Sequence, residues 1–197
     1  MNVERKITMD KTELTDGGSV LYIPDFFKTT IADKLFQILQ KKTPWKQEKT
    51  FYGNMFPRLT AYYSDNGVTY AYSGVSHDSM PWPWYLEEVK KRVENKVGKP
   101  FNSLLLNYYR NGKDSIGWHS DNEKELGKNP TVPSISFGAE RTFQIRHIKS
   151  HEKKEYLLKH GSLLIMNGTM QHHWQHCVPK TTKAVGERIN LTFRNII

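Results

Sequence analysis

Apolar positions recur along this chain in two rhythms. In "TTIADKLFQILQKK", residues 29 to 42, Ile31, Leu35, Ile38 and Leu39 fall three and four apart behind a threonine suited to an N-cap. Pro44 follows, so the spacing predicts a helix. A second run, "PWPWYLEEVKKRVENKVG", opens on prolines, puts Leu86, Val89, Val93 and Val97 on one face and ends at Gly98, which predicts another helix. Beyond Gly98 the period shortens to two. "FNSLLLNYY", "VPSISFG", "RTFQIRHI", "EYLLKHGSLLIM" and "ERINLTFRNI" are rich in β-branched or aromatic residues and bounded by turn residues, as strands are. Strands separated by short gaps argue for a sandwich or jelly roll rather than βαβ units. Between the helices, residues 51–74 ("FYGNMFPRLTAYYSDNGVTYAYSG") are crowded with aromatics and hold an Asn66-Gly67 hairpin signal. The pattern therefore predicts an α+β, mainly β domain: two helices on a β core at 98–197, with an aromatic hairpin region added. Residues 1–20 carry no interpretable motif and are expected to be poorly ordered.

Composition narrows the class. No repeat, low-complexity stretch or linker divides the 197 residues, so one domain is expected over 1–197. A 37% hydrophobic and 25% charged chain is globular rather than disordered. No apolar run approaches the roughly 20 residues that span a bilayer, so no membrane association is expected. "MNVERKITMDKTEL" lacks the apolar stretch of a secretory signal. Cys177 is the single cysteine, so an internal disulfide is impossible and a reducing compartment is expected: cytoplasm in a bacterium, nucleus in a eukaryote. The net charge of +9, from 29 Lys+Arg against 20 Asp+Glu, favours polyanionic partners such as nucleic acid.

Three stretches carry candidate chemistry. In "RINLTFR", Arg188, Asn190, Thr192 and Arg194 alternate with apolar residues, so they share one strand face. Two guanidiniums on that face suit a small barrel that holds a dicarboxylate by fork-to-fork pairing. In "LLLNYYRNGKDSIGWHSDNE", Asn107 and Tyr109 share a face, and His119 and Asp121 stand two apart so that an extended backbone converges them. Two histidines and one carboxylate form the facial triad of non-haem Fe(II) oxygenases, leaving positions for a bidentate 2-keto acid and O2. "QHHWQHC", residues 171–177, offers His172, His173 and His176 as the second histidine. The glycine-containing "MNGTMQ" before it speaks against a helix. In an extended segment at most one of His172 and His173 faces a given side.

Taken together, "NYYRNGKDSIGWHSDNEKELGKNP", "SISFGAERTF", "HGSLLIMNGTMQHHWQHCVPK" and "GERINLTFR" resemble the AlkB family of Fe(II)/2-oxoglutarate-dependent dealkylases, and most of all its branch that repairs alkylated nucleic-acid bases. The resemblance covers residues 45–197 and implies a double-stranded β-helix (jelly-roll) core with an aromatic β-hairpin lid over 45–75 for nucleotide recognition. It implies His119, Asp121 and His176 as iron ligands, His176 because the family's ligand lies just before the Val-Pro of "WQHCVP". It implies that Asn107 and Tyr109 hydrogen-bond 2-oxoglutarate, and that Arg188, Asn190, Thr192 and Arg194 line its carboxylate site. Arg188 is expected at the distal carboxylate and Arg194 near iron.

On the substrate side the resemblance implies Tyr63 against a flipped base, Phe51 near the element that probes a duplex, Arg58 on the phosphate backbone and Glu123 near an exocyclic amine. Asn122 departs from the family, several members of which carry aspartate there. Tyr70 and Tyr72 are expected to pack the hairpin on the core. The implied activity is oxidative dealkylation of 1-methyladenine and 3-methylcytosine in DNA and RNA by a monomer, with Fe(II) as the cofactor and 2-oxoglutarate and O2 consumed together. The alternative is a 2-oxoglutarate oxygenase of protein or lipid.

Overall fold

A computed structural model describes residues 9–49, 53–66, 68, 71–72, 75–76 and 79–197, and no side chain is described within the pairs 71–72 and 75–76. In chain order the elements are β1 (Asp10–Glu13), β2 (Ser19–Ile23), α1 (Thr29–Lys42), β3 (Leu59–Ser64), β4 (Ala71–Tyr72), β5 (Val75–Ser76), α2 (Trp84–Val97), β6 (Ser103–Tyr109) and β7 (Ile116–His119). There follow β8 (Val132–Gly138), β9 (Arg141–His147), β10 (Lys153–Leu158), β11 (Ser162–Asn167), α3 (Met170–His173), β12 (Trp174–Val178) and β13 (Arg188–Arg194).

The last eight strands build the expected jelly roll. One sheet runs β1-β2-β11-β8-β13-β6-β3 and the other β10-β9-β12-β7, every pairing between these strands antiparallel. The larger sheet is covered on both faces, which is why β6, β8 and β13 are buried along almost their whole length. Its outer face (Leu104, Leu106, Ile135, Phe137, Ile189, Leu191 and Phe193) meets Leu39 of α1 and Leu86, Val89 and Val93 of α2. Its inner face, with Val132, Leu164 and Met166, meets Phe143, Ile145, Trp174 and Val178 of the smaller sheet. Among the described residues no helix is long and apolar enough to cross a membrane.

Both predicted helices form, with one difference at an end. α2 stops at Gly98, which takes the left-handed conformation (φ 73°) that a Cβ disfavours. At the start of α1 no threonine caps: Lys28 is the N-cap and makes no side-chain cap bond. Ile31 is exposed, and Ala32 is buried with Leu39 instead.

Three expectations are corrected. Residues 10–13 and 19–23 are ordered strands rather than a loose tail, because Val20 and Ile23 are fully buried and β2 pairs with β11 inside the larger sheet; residues 1–8 lie outside the described residues. Within 45–75, residues 59–64 form the edge strand of that sheet, paired with β6 over six positions, and are not a separate lid. Downstream, Val68 N donates to the Asp65 carbonyl (3.1 Å), a turn bond at the expected Asn66-Gly67 signal, and the small two-stranded element pairs β4 with β5. Finally, the segment expected to be non-helical holds α3, a single turn too short to show periodicity.

Candidate active site

The polar face of β13 points between the sheets. Arg188, Asn190, Thr192 and Arg194 are all buried there, and they line one cavity with Asn107, Tyr109, Ser134, His119, Asp121 and His176. The larger sheet thus supplies the guanidiniums and amides, and the smaller one the imidazoles.

His119 ends β7 and His176 sits mid-way along β12, directly opposite it in the antiparallel register. Their ring centroids are 4.1 Å apart. One ligating atom from each of His119, Asp121 and His176 lies within 4.8 Å of the others, and His176 Nε2 is 3.9 Å from Asp121 Oδ2. Each group is held from behind. His119 Nδ1 lies 2.8 Å from the Gly117 carbonyl, to which it donates, leaving Nε2 with its lone pair. The Asp121 amide donates to Gln171 Oε1 (2.9 Å), and Ser120 Oγ donates to the Trp174 carbonyl (2.9 Å), so "QHHW" clamps the His-x-Asp segment. Arg194 Nη2 donates to Asp121 Oδ1 (2.8 Å), and Phe143 packs 5.3 Å from the His176 ring.

At the other end, Arg188 lies with its guanidinium carbon 5.0 Å from the Tyr109 ring centroid and donates from Nη2 to Ser136 Oγ (2.9 Å). Its Nε and Nη1, though buried, have no hydrogen-bond partner among the described residues. Asn190 is turned to β8, where Nδ2 donates to Ser134 Oγ (2.8 Å) and the Ile135 carbonyl (2.9 Å), while Thr192 Oγ1 donates to Asn190 Oδ1 (3.0 Å). This pair shapes the cavity floor.

The family model of the 2OG-Fe(II) oxygenase superfamily matches residues 19–194. The chain belongs to that superfamily. It is 41% identical over 195 residues to human "Alpha-ketoglutarate-dependent dioxygenase alkB homolog 3", covering 92% of this chain and 68% of that protein. To human "DNA oxidative demethylase ALKBH2" it is 38% identical over 180 residues, 84% of this chain and 69% of that one. The solved structure "The structure of OsALKBH1" superposes with a TM-score of 0.66 at 18% identity, over 94% of this chain and 100% of that one, a likeness of fold. The protein is thus an AlkB-like Fe(II)/2-oxoglutarate-dependent dioxygenase.

The donor set fits its cofactors. Asp121 Oδ2, 3.9 Å from His176 Nε2, is buried without a hydrogen bond, and two buried donors of Arg188 have no partner among the described residues, so a cation and a carboxylate would each meet waiting partners. Protonation states agree. Burial, then the charges of His119 and Arg194, push His176 down to about 3 against the opposing pull of Asp121, and burial likewise lowers His119. Burial alone would raise the Asp121 carboxyl. Arg194 and the two imidazoles outweigh it and hold that group well below the usual carboxylate range. At neutral pH the triad is two neutral imidazoles and a carboxylate, the forms that ligate a metal.

On the substrate side the expectations fare differently. Tyr63 shares a face with Leu59 and Ala61 and is buried with Tyr85 and Leu86 under α2, because in the register with β6 the odd-numbered positions of β3 turn to the helices. It cannot stack on a base in the cavity. Tyr62 takes the inner face instead, packed on Leu105 and Leu126. Arg58 is buried too; its Nε donates to Asn107 Oδ1 (2.6 Å) and its guanidinium lies 4.8 Å from the Phe56 ring centroid, so it points inward rather than at a phosphate backbone. Glu123 is half-buried two residues beyond Asp121, at the start of the short turn Lys124–Leu126. Phe51 and Tyr70 lie outside the described residues, as does the side chain of Tyr72.

Sequence reasoning missed Ser134, Ser136, Gln171 and Arg141. The serines alternate with apolar residues in "VPSISFG", a signal equivalent to that of β13. Arg141 is buried and binds three carbonyls: Nη1 to Asn111 (3.1 Å), and Nη2 to Asp114 (2.9 Å) and Pro179 (2.6 Å). It staples the loop after β6 to the loop after β12, and nothing in its local sequence marks it.

Proposed function

We propose that this oxygenase removes alkyl groups from the ring nitrogens of nucleic-acid bases, 1-methyladenine and 3-methylcytosine first among them, in DNA and RNA. The observation that carries the reading is one buried cavity with the iron triad at one end and the open guanidinium of Arg188 at the other, in a chain 38% identical to a human DNA oxidative demethylase. The charge of +9 suits a polyanionic substrate.

His119, Asp121 and His176 would hold Fe(II). Arg188 would take the distal carboxylate of 2-oxoglutarate, with Tyr109 and Asn107 beside it. Bound together, Fe(II) and 2-oxoglutarate let O2 be spent on two carbons: the keto acid leaves as succinate and CO2, and the N-alkyl carbon gains a hydroxyl. The resulting hemiaminal then falls apart to formaldehyde and the unmodified base. The chain's own part is positional. Arg194 fixes the Asp121 carboxylate, Gln171 fixes its backbone, and Arg58 fixes the Asn107 amide. Glu123 stands close in sequence to the metal ligands, where it would face a bound base, and the family resemblance assigns Phe51 to the element that probes a duplex.

The test is an oligonucleotide carrying 1-methyladenine or 3-methylcytosine, incubated with the protein, Fe(II), 2-oxoglutarate and ascorbate. Mass spectrometry should show loss of one methylene unit, dependent on every component. Succinate formation with no change in single-stranded, double-stranded or RNA oligonucleotides would leave the oxygenase standing and end the base-repair reading.

A further inference from the structure

The segment that supplies His176 holds a histidine for which the iron site has no use. His173 closes α3, and one of its ring nitrogens lies within 4.8 Å of ligating atoms on both His147 and Asp16. The three come from separate parts of the chain: the turn between β1 and β2, the end of β9, and α3. Neither ring nitrogen of His173 bonds to a described residue.

The cluster is held in place. His147 is buried, its Nδ1 is 3.1 Å from the Ser150 amide and 2.8 Å from Ser150 Oγ, and its Nε2 is 3.0 Å from Asp16 Oδ2. The Trp174 ring packs 5.2 Å away. Asp16 sits at φ 63°, and its carbonyl accepts from Thr169 Oγ1 (2.9 Å). The neighbouring Glu152 accepts from Thr15 Oγ1 (3.0 Å) and pairs with Lys154 (2.7 Å).

A histidine–aspartate hydrogen bond explains Asp16 and His147 but leaves His173 without a reason to be there. We propose that Asp16, His147 and His173 form a second divalent-metal site, of the kind that takes Zn2+, with its fourth position open to water. Two imidazoles and a carboxylate are a borderline-soft donor set suited to zinc. His147 would ligate through Nε2, its proton passing to Nδ1; the Ser150 amide, which donates to Nδ1 in the metal-free protein, would turn away and leave Ser150 Oγ to accept that proton. Ligand atoms around one tetrahedral ion stand about 3.3 Å apart at bond lengths of about 2.0–2.1 Å. The cluster has to draw in by less than the length of one such bond, and Asp16 on its exposed turn and His173 at a helix end are the groups free to do so. The occupied site would tie the N-terminal hairpin to the strand that carries His176.

The experiment uses the full chain carrying His119→Ala and Asp121→Ala, which removes the iron triad. After incubation with Zn2+ and gel filtration, elemental analysis should find one zinc per chain, and zinc should raise the melting temperature. Adding His173→Ala or Asp16→Asn should weaken zinc retention against a competing chelator at least about tenfold, the lower end of what even an outer-shell change costs a metal site. Circular dichroism of the zinc-free variants separates lost binding from lost folding. Co2+ provides a second readout through visible absorption bands that His173→Ala abolishes. No zinc on the triad-deleted chain, or retention indifferent to both added substitutions, overturns the proposal and leaves Asp16 and His147 as a hydrogen-bonded pair.

Discussion

Arg194 donates from Nη2 to Oδ1 of Asp121 across 2.8 Å, and both side chains are almost wholly shielded from water. Removing one member of such a pair strands the other. Arg194→Met is expected to destabilise the protein by about 3–5 kcal/mol, a fall in Tm of roughly 6–20 °C for a domain of this size. It should also weaken Fe(II) binding, since the carboxylate loses the charge that keeps it ionised. A melt indistinguishable from the parent would show that the pair contributes nothing to the fold.

Arg188→Lys keeps the charge and loses the planar fork. Loss of charged hydrogen bonds worth about 1.5–3 kcal/mol raises the half-saturating 2-oxoglutarate concentration roughly 10- to 100-fold. The rate at saturation should hold, because the interaction is made equally in the ground and transition states. Succinate release followed against 2-oxoglutarate concentration decides it, and an unchanged half-saturation point removes Arg188 from the binding site.

Arg141→Met frees two loops at once. Three carbonyls lose their donor, at about 1–3 kcal/mol for each that stays buried. Denaturation should need less urea, and limited proteolysis should cut between Pro179 and Glu187 faster than in the parent protein. If cutting is no faster, the backbone bond from Thr181 to the Gly112 carbonyl (2.9 Å) suffices to hold the loops.

Tyr63→Phe is expected to leave oligonucleotide turnover and KM unchanged and to cost about 1 kcal/mol of stability, the usual worth of a lost hydroxyl contact. A rise in KM for oligonucleotide with no loss of stability would return Tyr63 to the substrate side.

The depressed imidazoles set a pH dependence for the iron-free protein. An unfolded histidine takes up its proton below about 6.5, whereas His176 stays neutral in the fold down to about 3. Between those values the unfolded state binds more protons, so stability falls as pH falls, by on the order of 1.4 kcal/mol per pH unit for each such histidine. Melting temperatures between pH 7 and 5 should show this decline, and His176→Gln should flatten it. Equal slopes in the two proteins would mean that His176 protonates within the fold.

Much of this was legible in residue order. α1 has the expected bounds, α2 begins at Trp84, three residues into its expected stretch, and β8 and β13 show their alternation openly. "EYLLKHGSLLIM" reads as one strand but is two, because Gly161, at φ 75° and with the Phe27 carbonyl 2.8 Å from where its Cβ would stand, turns the chain between sheets. β7 and β12 escaped notice since their few residues, "IGWH" and "WQHCV", include the metal ligands and so break apolar alternation. The placement of Tyr63 turned on parity alone. One residue of register exchanges the faces of β3, and only the pairing of Thr60 with Asn107 reveals that Tyr62 faces inward. The buried acceptors of Arg141 come from two loops distant in sequence, which no local pattern announces.

The direct opposition of His119 and His176 in neighbouring strands has a practical consequence. Ladder hydrogen bonds, not an ion, set the spacing of two of the three donors, so the socket exists before anything enters it. Proteins folded around a metal collapse when a chelator takes it away. This one should survive as an intact empty vessel, able to shed an oxidised iron and be recharged without passing through the unfolded chain.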